Sequence, residues 1–210
     1  MILRKYIKPI LFISALSFSI TAEAASVTMF GQKIKTEDEL REAFYGMYSA
    51  GMENRITSKT ITSLNLSKID GKFLVIIPST DFYVKSYIPD AGDFKSKDTA
   101  NLAGFAFKLS SEGIFLYFQR MGLMETIDLA DENTINDAFK SEYDYIITMK
   151  SDFNGKRDVN SVFSRKTEFF VKNLKTGREE KFTEIVKQAA LDQFFDSIAV
   201  KFSDAVNATN

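Results

Sequence analysis

The chain has 210 residues, with 27 Lys and Arg against 28 Asp and Glu, and a formal net charge of −1. A balance so near neutral gives no electrostatic reason to bind nucleic acid, whose phosphates call for a basic surface. The sequence holds neither cysteine nor histidine. That excludes disulfides and a lipid-anchored cysteine, Ser-His-Asp and Cys-His catalysis, and the usual zinc and copper ligand sets, so no cofactor or metal is expected.

Arg4, Lys5 and Lys8 precede an uncharged apolar stretch over 10–20, and Ala22-Glu23-Ala24 follows as a small-x-small site. This order is that of a secretory signal peptide, with cleavage expected between Ala24 and Ala25. The apolar stretch is about half of the roughly 20 residues that span a bilayer. No later segment is long and apolar enough to cross, so no integral membrane segment is expected after cleavage. Residues 25–210 then form one domain in the periplasm or the medium, large enough for a core of its own. Twenty Phe and no Trp point to a Phe-rich core.

Residues 27–35 read as a short strand or arm. Thr36 and Glu39 have the spacing of a capping box, ahead of Leu40, Phe44, Met47, Tyr48 and Gly51 at helical intervals, which predicts a helix over 37–54. A polar connection follows over 52–70. Phe73-Leu74-Val75-Ile76-Ile77 is a β-branched run closed by Pro78, expected as a central strand covered on both faces. Pro89, Gly92 and many charges make 81–97 a long exposed loop. A helix is expected over 98–111, stopped by Gly113, then a second strand over 114–118, a loop through Gly122, a short helix over 132–140 and a third strand over 143–149.

Asn154-Gly155 is a hairpin signal, because both residue types tolerate positive φ. The returning strand, 162–174, alternates with the period of a half-buried antiparallel strand. A second turn at Lys175-Thr176-Gly177-Arg178 leads into 179–185. An amphipathic helix over 186–205 closes the chain, with Phe194, Ile198 and Phe202 on its core side. The expected fold is α/β or α+β: a mixed sheet of about five strands with flanking helices and a long carboxy-terminal amphipathic helix. Its first half should be parallel and its second antiparallel.

Few motifs carry chemistry. Residues 152–158 resemble a calcium loop only faintly, since Lys156 falls where a ligand belongs and no Glu follows at the right distance. Gly71-Lys72 lacks the glycine-rich turn and the Ser/Thr of a phosphate loop. Neither the G-x-S-x-G nor the S-x-x-K signature occurs. Asp81, Asp90, Asp93, Glu112, Glu125, Asp128, Asp131 and Glu132 could supply two carboxyl groups across a cleft, as glycoside hydrolysis needs; exposed acids are more often a solvated surface. Phe82, Tyr83, Tyr87, Ile88 and Phe94 crowd the 81–97 loop, and exposed aromatic side chains are typical anchors of a protein interface. This loop is the candidate partner-binding site, the alternative being that its rings cover the edge of the core.

Tyr143-Asp144-Tyr145-Ile146-Ile147-Thr148 resembles an alanine-aspartate-tyrosine strand motif. Phe169 to Gly177 resembles a hairpin ending in Thr-Gly, with Asn173 where the motif has Asp. With the strand at Gly71–Pro78 and the closing helix, this order is similar to the periplasmic α/β domains of the curli-secretion lipoprotein, LpoB and TolB amino-terminal-domain type, over about 71–205. The resemblance implies a mixed sheet with flanking helices and a role in protein–protein contact in the envelope. The lipobox Cys of the lipoproteins is absent here.

The expected function is therefore that of an exported, non-enzymatic interaction module whose partner is another envelope protein, docking through the 81–97 loop or an open strand edge. The alternatives are a carboxylate-dependent enzyme acting on an envelope glycan or peptide, and a carrier of a small apolar ligand.

Overall fold

A computed structural model describes residues 19–20, 27–29, 32–56, 61–87, 97–133, 135–152, 164–187 and 191–210. Three short strands, β1 (Ser19–Ile20), β2 (Val27–Met29) and β3 (Gln32–Ile34), form a small antiparallel sheet. After them come α1 (Glu37–Ile56), β4 (Ile69–Ile77), α2 (Thr80–Tyr87), α3 (Lys97–Arg120), β5 (Met124–Asp131), α4 (Asp137–Lys140), β6 (Tyr145–Asp152), β7 (Ser164–Asn173), β8 (Glu179–Lys187) and α5 (Leu191–Thr209).

The main sheet has five strands in the order β5-β4-β6-β7-β8. β4 runs parallel to both its neighbours, and β6, β7 and β8 are mutually antiparallel. The fold is thus α/β with a mixed sheet, as the pattern of separated and then hairpin-linked strands predicts. Phe73, Val75 and Ile77 of β4 share one face with Ile147 of β6 and Val171 of β7, and α3 and α5 cover it. Phe202 of α5 is the aromatic centre of this core, with ring centroids 6.1 Å from Phe73, 5.4 Å from Phe118 and 6.5 Å from Phe115. A second, smaller cluster joins Ile34, Leu40 and Phe44 to Leu102, Phe105 and Leu109 of α3.

The capping box at α1 is present in a shifted form. The Glu39 N–H donates to Thr36 Oγ1 at 3.2 Å, and Glu39 Oε2 accepts from the Lys35 N–H at 2.8 Å. The turn between β7 and β8 is also as expected, with Gly177 at φ 72°. Asn154-Gly155 lies outside the described residues, but β6 and β7 pair in an antiparallel register, Met149 opposite Phe169 and Asp152 opposite Lys166.

Three expectations are corrected. Residues 80–87 are helical, so the 81–97 segment does not begin as a loop. Helix α3 does not stop at Gly113: it runs to Arg120 and takes up the expected strand at 114–118. A helical glycine costs about 1 kcal/mol relative to alanine; full burial of Ile114, Phe115, Tyr117 and Phe118 outweighs that by several side chains at about 1.5–3 kcal/mol each. The strand missing from 114–118 is β5, and the helix expected over 132–140 shrinks to α4, where Asn136 Oδ1 accepts from the Phe139 N–H at 2.8 Å.

Candidate binding surface

Alternation along the strands divides the sheet into a face covered by α3 and α5 and a second face, which is closed over at Leu74 of β4 and opens beyond it towards β7. Phe169 and Val171 point into the core, so Phe170 and Lys172 face the other way, as do Ile76 of β4 and Ile146 and Thr148 of β6. These residues line a shallow depression of about 470 Å³ bounded by Lys140 and Ser141 at α4 and by Glu179 of β8. Ile76, Ile146 and Phe170 are half-buried there. Among the described residues, α4, a single turn, is the helix beside this face, whereas two long helices cover the opposite one.

Phe170 sits among cations. Its neighbour across the strand pair is Lys181 on β8, and Lys172 follows two residues along on the same face. The Lys150 ammonium lies 5.2 Å from the Phe170 ring centroid, within range of a cation–π contact. Lys172 and Lys181 are exposed, and neither is in an ion pair among the described residues. The result is an aromatic platform ringed by three lysines, with Glu168 and Glu179 at the margin.

The residues expected to form a docking loop are placed differently. Tyr83 is fully buried under α3, and its hydroxyl lies 2.8 Å from Ser111 Oγ. Phe82 is half-buried and meets Tyr83 edge to face at 5.5 Å. Tyr87 ends α2. Ile88 and Phe94 lie outside the described residues. Tyr83 therefore belongs to the core and is no surface anchor. The ring that does face outward, Phe170, could have been read from strand alternation, since Phe169 and Phe170 cannot both point inward.

Of the acids that could supply a catalytic pair, Glu112, Glu125, Asp128, Asp131 and Glu132 have structural partners. Glu112 is buried between α1 and α3 and accepts from the Tyr45 hydroxyl at 2.7 Å, with Arg41 at 3.9 Å. Burial and this carboxylate push the Tyr45 phenol up to about 12. Asp128 accepts from the Tyr143 hydroxyl at 2.8 Å, and burial together with Asp128 likewise raises Tyr143 to about 12. Glu132 accepts from the Ser79 N–H at 3.1 Å, which ties the end of β4 to that of β5. Asp81 is exposed on α2, and Asp90 and Asp93 lie outside the described residues.

Lys68 holds the Glu125 carboxyl below its ordinary range. Burial would raise Asp131, but bonds from Lys108 and the Asn133 N–H outweigh it and move that carboxyl down too. A general acid working near neutral pH needs the opposite shift.

The base of the sheet is closed by a polar knot. Asn210 Oδ1 accepts from the Tyr145 hydroxyl at 2.7 Å and from Asn173 Nδ2 at 2.9 Å. Asn173 Oδ1 accepts from the N–H groups of Lys175 and Thr176 and so shapes the β7–β8 turn.

No family model and no curated protein matches the chain. Two solved PelC dodecamers from Paraburkholderia phytofirmans are similar to it. One shares 16% identity over 64% of this chain and 89% of that one, the other 14% over 65% and 87%, each with a TM-score of 0.36. No functional argument follows from likeness of that size. Among the described residues, no helix is long and apolar enough to cross a membrane.

Proposed function

We propose that the chain is an exported cell-envelope protein that works by binding another envelope protein through the open face of its sheet, with no catalytic step of its own. The observation that carries this reading is Phe170, half-exposed beside Ile76 and Ile146 and ringed by Lys150, Lys172 and Lys181. An apolar floor with a cationic rim suits a partner segment that presents an apolar side chain next to carboxylates: the ring and aliphatic groups supply burial, and the lysines select for charge. The signal-peptide pattern before Ala25 and the resemblance of about residues 71–205 to periplasmic domains support the location.

Two measurements test the reading. Protein recovered from the periplasm or medium should begin at Ala25 on amino-terminal sequencing; a chain that keeps its first 24 residues in the cytoplasm contradicts export. A photo-crosslinking amino acid at position 148, opposite Phe170 in the same depression, should capture one stoichiometric envelope protein, and adding Phe170→Asp to that background should abolish capture while leaving the thermal midpoint nearly unchanged. Equal capture by the Asp variant would remove the open face from the interface.

A further inference from the structure

β8 is an end strand of the sheet among the described residues. An antiparallel strand sends the N–H and C=O groups of alternate residues to opposite sides, so those that β7 does not use form a template for another strand. In the middle of β8 two of these groups are occupied by side chains. Lys201 Nζ on α5 donates to the Thr183 carbonyl at 3.1 Å and to Glu184 Oε2 at 2.6 Å. Glu184 Oε1 accepts from the Ile185 N–H at 3.2 Å, and Ser197 Oγ on α5 donates to Glu184 Oε2 at 2.9 Å. The carbonyl of residue 183 and the N–H of residue 185 are the acceptor and donor that an added antiparallel strand would engage. One ammonium and one carboxylate, anchored from α5, stand in its place.

We propose that the β8 edge is a latent docking edge for a second copy of this chain, held shut by the Glu184–Lys201 clamp. The occupant follows from the residue pattern of β8. Paired antiparallel with itself about Thr183, the strand sets Glu179 against Lys187 on both sides of the two-fold axis, Lys181 against Ile185, and Thr183 against Thr183. No residue meets a like charge, and opposite charges and Thr–Thr pairs are favoured cross-strand neighbours. Ile185, 54% exposed on this strand, gains cover. Such an interface is isologous and closes at two copies, so an opened edge leads to a dimer and not to a filament.

The chain has no cysteine, so one introduced thiol reports on the pairing without interference. Thr183→Cys brings two thiols together only in this register, where facing Cα atoms lie about 5.5 Å apart, within disulfide reach. Under mild oxidation Thr183→Cys alone should stay monomeric. Combined with Lys201→Met, which keeps the aliphatic stem but not the donor, it should convert largely to a disulfide-linked dimer. Glu184→Gln should act in the same direction, and Lys175→Cys, on the β7–β8 turn, gives the background of random collision. Three results would overturn the proposal: both clamp variants fold by circular dichroism but crosslink no more than Lys175→Cys; Thr183→Cys alone dimerises as readily as with the clamp removed; or neither clamp variant folds, which would make the pair a core element and not an edge guard.

Discussion

The hydroxyl of Tyr83 meets that of Ser111 inside the contact between α2 and α3, and Ser111 Oγ also bonds the Phe107 carbonyl at 3.2 Å. Tyr83 thus carries two separable loads, a ring and one hydrogen bond. Tyr83→Phe keeps the ring and leaves Ser111 with a partner, so the cost should be that of one net hydrogen bond, about 1 kcal/mol. Tyr83→Ala also opens a cavity and should cost about 3–5 kcal/mol. Urea denaturation of both variants measures the difference; equal stability for the Ala variant would return Tyr83 to the surface. Asn173 shows the same separation of duties. Its Oδ1 does what an Asp would do at the turn, while its Nδ2 donates to Asn210 Oδ1, a bond that a carboxylate cannot make. The choice of Asn at this position is therefore matched by Asn210, the residue that follows α5.

At the scale of elements, α2 owes its position to a glycine on α3. A Cβ at Gly104 would lie 2.6 Å from Val84 Cγ2 and 3.0 Å from the Thr80 carbonyl oxygen. Alanine is otherwise the better helix former by about 1 kcal/mol, so Gly104→Ala separates propensity from packing. Overpacking of this kind costs about 1–3 kcal/mol. The variant should lose thermal stability despite its better propensity, and a gain would mean that α2 moves aside freely.

The same packing explains what could be read from the chain. β4, β6, β7 and α5 were legible because their apolar periods are long and bounded by Pro78, Thr-Gly turns or charged faces. α2 is not, because its eight residues, TDFYVKSY, include the charged Asp81 and Lys85 and precede Pro89 and Gly92, and its helical state rests on docking against Gly104. The full length of α3 is hidden because Gly113 reads as a stop, and its last seven residues hold a run, Ile114 to Phe118, equally suited to a buried strand or a buried helix. For a related reason the sequence leaves open whether the aromatic residues beside these loop signals are exposed or cover the core; Tyr83 is core, and Phe170 faces outward from a strand whose alternation is plain in the sequence.

For the molecule as a whole, α3 is the shared beam of two cores. Leu102, Phe105 and Leu109 on its first half pack with Leu40 and Phe44 of α1, while Phe115 and Phe118 on its second half pack with the sheet and α5. The two clusters differ in size, and stability in a protein is distributed over such units, with the smaller opening at lower free energy. α1 is held by that smaller cluster, by the Tyr45–Glu112 bond and by Arg41, which lies 5.0 Å from the Phe105 ring centroid. Phe44→Ala and Phe115→Ala remove the same side chain from the two clusters, each at a local cost of about 3–5 kcal/mol. Native-state hydrogen exchange should separate them. In Phe44→Ala the amides of α1 should lose protection while those of β4 and β6 keep theirs, because α1 can leave without exposing the sheet. In Phe115→Ala protection should fall together across α3, β4, β6 and α5, because that ring lies between the sheet and Phe202. Equal loss across α1 and the sheet in both variants would show one cooperative core, with α3 transmitting the damage along its length.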